Sequence, residues 1–391
     1  MNHISDLNDF MFLIWFKIKK KLPMKKWITY SLTLLFLSSW TLTNAQNAGK
    51  AGKIWYSNDQ LFVNIVNKGV LVVDNKNPKS PKKLGFIEIP GNIDIAVKGD
   101  ILFANNHDDL IAINISKLAK ISNKKIVKRF DGIFTQYKDS KGDEKIKWVK
   151  PSKKRWMASP TSVIASGSKG GSMACFSLVN DHLYALTPSA IHTFDVDKPK
   201  RMKKSGKPTD IFGDNFETIF SNGENLFVGG QGGMYIFDLD DPASPKAIGE
   251  YHHMQSCDPV VVEGDFAYVT LRNGNVCGRS KEINRLEVID ISNPSSPKLR
   301  FSNKQLSHPH GLAVDKGIVF VCDGNFGLKV LDATNSGNVK LMKTYDDIPN
   351  NYDIINIPEK KLLILVGQTD VVQYDYSSPR NLKRLSMFKT K

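Results

Sequence analysis

The sequence predicts an all-β fold, a seven-bladed β-propeller of four-stranded blades with a repeat of about 42 residues. Three observations predict it. Short apolar runs that alternate at every second residue come in pairs, as in FAYVTL (266–271) and LEVIDI (286–291), and that alternation is the pattern of a strand. The pairs recur: their second runs end at Asp74, Asn114, Asp195, Asp238, Asp290, Asp332 and Asp375, with separations of 40, 81, 43, 52, 42 and 43 residues. Beyond residue 45 no stretch sustains a helical period. Each unit has too little apolar surface to fold alone and must bury its two faces against neighbours.

Taken in order, the first unit runs from Lys53 to Gly91 and closes on a turn rich in Asn, Ser and Pro. The second opens where Ile93, Ile95 and Val97 alternate and ends near Phe134. Its strands, from the axis outward, are DIAV, ILFAN, LIAIN and KKIVKRF. The third resumes at Ser172, the fourth opens on FETIFS, the fifth holds the FAYVTL pair, the sixth opens on HGLAVD and the seventh on YDIINI. The wide 81-residue separation contains a polar, basic and aromatic insertion, residues 135–171. Lys145–Val149 reads as one strand of a hairpin; Trp148 and Trp156 among lysines suit a segment folded over one face of the disc, and a disordered loop is the equal alternative. The first and seventh units each hold four strands of their own, so ring closure rests on packing between them rather than on strand exchange.

Residues 1–45 stand apart. Lys25 and Lys26 precede an apolar run from Trp27 to Trp40, and TLTNA follows, the charge, length and cleavage chemistry of a signal peptide cut after Ala45. Met24 is the expected start of translation. The run is short and rich in Ser and Thr for a membrane span. Residues 46–391 are then a single propeller domain. Removing the leader takes away six basic and two acidic residues and lowers the net charge from +15 to +11. The lysines are scattered through turns without an aromatic-interleaved basic groove, so nucleic acid is excluded as a partner and solvated blade edges are the reading. Peripheral contact with an anionic surface is compatible with that charge.

Export permits disulfides among Cys175, Cys257, Cys277 and Cys322. Cys257 and Cys277 fall in one unit, the second within the residues that lengthen it, and are expected to pair. Closing such a loop is worth about 3 kcal/mol. Cys175 and Cys322 lie in strands of different units and read as buried thiols.

With the repeat in view, LEVIDISNPSSPKL (286–299) and MYIFDLDDPASPKAIG (234–249) resemble the LVIVD repeat, a bacterial and archaeal family of propeller blades. The resemblance covers most of residues 60–391, is weakest in the third unit and is absent from the insertion. SCDPVVVEGDFAYVT (256–270) and VFVCDGNFGLKVLD (319–332) resemble exported LVIVD-repeat proteins of Gram-negative bacteria, some with a similar insertion and paired cysteines. The resemblance implies a secreted or surface propeller and no reaction.

Inner strands of a propeller begin at one mouth of its channel, which brings together Asp94, Glu217, Asp258, His310 and Asp353, with His308 and Asn351 adjacent. Carboxylates this close bind a cation or raise one another's pKa, and oxygen ligands favour Ca²⁺ or Mg²⁺. Asp94, Glu217, Asp258 and Asp353 are the candidate metal ligands; the plainer alternative is a hydrated polar channel. His308 and His310, two apart, share a strand face and suit a transition metal with Asp258, against the plainer reading of histidines at turn ends; His252 and His253 form the other histidine cluster. No GxSxG or CxxCH occurs. GSKGG (167–171) and GGQGG (229–233) join no strand to a helix, so neither is a phosphate loop; the second reads as a hairpin turn with positive φ. The expectation is a non-catalytic binding or scaffolding module of the periplasm or outer cell surface, with no cofactor and an envelope protein or glycan as partner. The alternative is a periplasmic, lactonase-like hydrolase using Ca²⁺ at the channel mouth.

Overall fold

The structure, a computed structural model, describes residues 50–134, 146–150, 169–211, 216–230, 232–253, 259–273, 284–346 and 350–390. The expected signal peptide, Cys257, Cys277, Asp258 and Trp156 lie outside the described residues. Among those described, no helix is long and apolar enough to cross a membrane.

Seven antiparallel sheets follow one another along the chain. Blade 5 is the plainest, with strands Val260–Glu263, Phe266–Leu271, Arg285–Asp290 and Lys298–Asn303 paired in sequence order. The innermost strands of the seven blades are Ala51–Ser57, Ile95–Lys98, Phe176–Val179, Phe216–Ser221, Val260–Glu263, Leu312–Asp315 and Asp353–Ile357. Each touches the next, and the first touches the last, so the ring is closed. Blades 1 and 7 are each built from their own four strands, as the sequence predicts.

Strand alternation explains why the blades stack. In blade 6, Val319 and Val321 face the core shared with blade 5, while Phe320 and Cys322 face the core shared with blade 7. In blade 7, Leu363 and Leu365 face blade 6, while Leu362, Ile364 and Val366 face blade 1. Cys322 is therefore buried as a small apolar group between blades, and burial raises its thiol pKa. Removing a buried Leu or Phe from such a face costs about 2–5 kcal/mol.

The aspartates that mark the repeat have a shared task. Asp74, Asn114, Asp195, Asp290, Asp332 and Asp375 each end a third strand and accept, through Oδ1, the N–H two residues on at 2.8–3.1 Å. This is the turn-forming bond that short Asx side chains make, and it starts the break into the outermost strand.

The GGQGG hairpin is present, with Gly230 paired to Gly233 across a turn whose Gln231 lies outside the described residues. Gly233 itself must stay small: a Cβ there would sit 2.4 Å from the Tyr251 carbonyl oxygen.

The two described strands of the insertion pair with blade 1, although they follow blade 2 in sequence. Lys147–Val149 pairs with the outer edge of blade 1, and the Trp148 ring covers Gly85, where a Cβ would lie 2.2 Å from Cζ2. Lys169–Gly170 pairs with its inner edge, opposite Trp55 and Tyr56. Blade 1 thus has six strands, flanked on both edges by the insertion.

Candidate functional site

From Gly170 the chain crosses the mouth of the channel before it enters blade 3. Gly171 lies against Asp353 of blade 7, where a Cβ would come 2.0 Å from Oδ2, so only glycine fits. The Ser172 hydroxyl accepts the Leu312 N–H of blade 6 at 2.8 Å. The Ala174 carbonyl accepts the Ile219 N–H of blade 4 at 2.8 Å. Asp94 of blade 2 accepts the N–H groups of Cys175 and, at 3.1 Å, Phe176. Residues 169–175 thus form a plug held by blades 1, 2, 4, 6 and 7.

Beneath the plug lies a buried charge cluster. Lys53, on the innermost strand of blade 1, is 8% exposed, Asp94 is 3% and Asp353 is 0% exposed. Burial raises Asp94 to about 6, opposed by Lys53 and by the amides of Ile95, Cys175 and Phe176. Burial likewise raises Asp353 to about 7, with Lys53 opposing and Asp94 adding to it. For Lys53, burial pulls downward, but Tyr352, Cys175, Asp94 and Asp353 outweigh it and raise the ammonium. The ammonium thus attracts both carboxyls, which repel each other. Asp353 Oδ1 accepts the Ile354 N–H at 3.0 Å, while Oδ2, beside the Met173 amide, lacks a well-formed hydrogen bond.

Of the carboxylates expected at the mouth, Asp94 and Asp353 come together around Lys53. Glu217 sits at a bulge in the innermost strand of blade 4, and its carbonyl accepts the Cys175 Sγ–H at 3.2 Å. Burial pushes the Cys175 thiol up to about 12, so it is no nucleophile at neutral pH. Among the described residues no three of His, Cys, Asp and Glu are grouped to hold a metal ion. Beside the plug a cavity of about 40 Å³ lies between Ser172, Phe220, Val261, Val314 and Ile355, room for about three waters.

The histidines form a second group on the same face. The rings of His308 and His310 meet edge-on at 4.8 Å, and His310 lies 5.4 Å from Tyr352. Burial, Arg272 and His308 hold His310 down at about 2, and its buried Nδ1 has no hydrogen-bond partner. Asp323 accepts the Ser307 and His308 N–H groups, which fixes the turn before the pair. His252 is exposed and turned to Glu250 at 3.2 Å, while the His253 ring lies 6.2 Å from Tyr251.

Lys53, Gly171, Ser172 and Tyr352 escape a reading of motifs. The signal for Lys53 is in the sequence, a lone lysine inside the buried strand AGKIWYS. A buried lysine demands a partner. Nothing in the sequence shows that residues 169–175 cross the axis.

The LVIVD repeat family matches residues 48–86 and 280–304, the first and fifth blades. No curated protein matches the sequence significantly. Solved structures share the fold. A periplasmic gluconolactonase of Pseudomonas aeruginosa has a TM-score of 0.59 at 9% identity over 86% of this chain and 96% of its own. A putative 6-phosphogluconolactonase of Bacteroides fragilis has a TM-score of 0.55 at 9% identity, covering 88% of this chain and 98% of its own. The computationally designed protein Ika8 has a TM-score of 0.54 at 9% identity over 87% of each chain. At this identity the likeness is one of fold, which hosts many unrelated functions. With its strand–turn pattern recurring around a closed ring, the chain is a seven-bladed β-propeller, two of whose blades match the LVIVD repeat.

Proposed function

We propose that this propeller is an exported, non-catalytic binding module of the bacterial cell envelope, working through the face that carries the plug. The observation that carries the reading is the state of the channel mouth. Asp94 and Asp353 are buried beneath the chain's own residues 169–175, and their counter-ion is Lys53. A hydrolase needs its carboxylates or metal open to substrate in a pocket several times larger than 40 Å³. Rigid blades carrying loops on one face suit recognition instead. Export rests on the signal-peptide pattern of residues 24–45.

The test is turnover by the purified mature protein on a panel of sugar lactones and carboxylic esters, with added Ca²⁺ and with chelator. The expected result is hydrolysis at the uncatalysed rate under both conditions. Saturable hydrolysis that needs Ca²⁺ and is lost in Asp353→Asn would establish the lactonase-like alternative. Sequencing of the mature N-terminus from an envelope fraction is expected to begin at Gln46; recovery from the cytoplasm with Met1 intact would overturn export.

A further inference from the structure

We propose that residues 169–175 fasten the ring from inside, in place of a strand shared by the first and last blades. Six of the seven blade-to-blade junctions are backed by a short, direct chain connection or by the insertion that continues from it. The seventh, between blades 1 and 7, joins the two ends of the domain, which are more than 300 residues apart in sequence. Bringing such distant segments together carries the largest loop-closure cost of any junction. Mostly side chains span it: Asn75 and Gln373 exchange two buried hydrogen bonds of 2.7 Å, Lys360 donates to the Tyr56 hydroxyl at 3.0 Å, and the apolar faces of the two blades meet. One backbone bond, Ala51 N–H to the Gln368 carbonyl at 2.9 Å, joins the blades at the mouth.

The insertion supplies what that junction lacks. Its described strands pair with the two edges of blade 1, and the inner one, Lys169–Gly170, runs straight on into the contacts with Asp353 of blade 7 and Leu312 of blade 6. The stretch 169–175 therefore grips blade 1 and reaches across to blades 7 and 6 before it enters blade 3. Lys53 of blade 1 and Asp353 of blade 7, both buried, attract each other across the same junction. On this reading the polar cluster at the mouth is part of the fastening, and the glycine at position 171 is there to let the plug approach Asp353.

Hydrogen exchange of the full mature protein, followed by mass spectrometry, tests this. Ser172→Ala removes the bond to Leu312 without straining the backbone, and Gly171→Ala forces a Cβ into Asp353. The expected result for Ser172→Ala is exchange faster by up to about tenfold, the weight of one hydrogen bond, at Leu312 of blade 6, whose N–H loses its acceptor, and in blades 1 and 7, at Leu61–Val63 and Ile364–Val366. Ala267–Val269 of blade 5 should keep its protection. Gly171→Ala should change the same two blades by more. Equal loss in all blades would show a general loss of stability, and unchanged exchange in blades 1 and 7 would show that the plug fastens nothing; either overturns the proposal. Should Gly171→Ala fail to fold, Ser172→Ala decides alone.

Discussion

Asp353 and Asp332 lie on neighbouring blades and are the same residue, yet their carboxyls are driven in opposite directions. Asp332 ends a strand at the rim, where the Thr334 hydroxyl and amide donate to it and pull its pKa below the ordinary value. Asp353 opens a strand at the axis, where burial lifts it to about 7 against the pull of Lys53. Asp290 and Asp375 repeat the rim pattern, and Asp94 repeats the axis pattern. The difference teaches that the rim aspartates shape the blade locally and work one at a time. The axis aspartates depend on three blades meeting around one lysine.

The comparison breaks most strongly at that lysine. Lys53→Met leaves two buried carboxyls without a counter-ion and is expected to cost about 3–5 kcal/mol in urea unfolding above pH 7. The loss should shrink at pH 5, where both carboxyls take up protons. An equal loss at both pH values would mean that Lys53 acts through its hydrocarbon stem alone.

Asp353→Asn sharpens the same point. The folded carboxyl titrates at about 7 rather than near 3.8, so the native state keeps a proton that the unfolded chain has released. Its contribution is fully present below about pH 4 and is lost as pH rises through 7. Relative to the variant, the wild-type protein should therefore lose stability between pH 5 and 8. His310 has the opposite sign. Its pKa, near 2 when folded, adds stability above 6.5 that is lost as pH falls below that value. The two slopes oppose each other, so each must be read as a difference from its own variant, Asp353→Asn or His310→Gln. A pH-independent difference for Asp353→Asn would place its carboxyl in water.

At the rim the effect should be smaller. Asp332→Ala removes hydrogen bonds to Thr334 and is expected to cost about 1 kcal/mol, with little change between pH 5 and 8 because that carboxyl is ionised throughout. A cost as large as that of Lys53→Met would erase the distinction between rim and axis.

The blades were legible in sequence because their cause is local. Alternation in FAYVTL and LEVIDI sets which side chains face each neighbour, and the Asp that ends each unit sets its turn. Both signals lie within a few residues, so they recur with the repeat. The candidate site was legible only in part. Asp94 and Asp353 could be placed at one mouth by counting strands, and Glu217 fell near them but offers its carbonyl rather than its carboxylate to Cys175. The insertion's attachment to both edges of blade 1 was not legible, since no pattern in KWV or KG names its partner strand.

By itself, then, the sequence determined the strand, the turn, the period and hence the propeller, because each follows from the chemistry of neighbouring residues. Only the tertiary structure decided what fills the axis. Lys53, Asp94, Gly171 and Asp353 are separated by up to 300 residues, and their charges, their burial and the fit of the plug exist only once seven blades have closed around them.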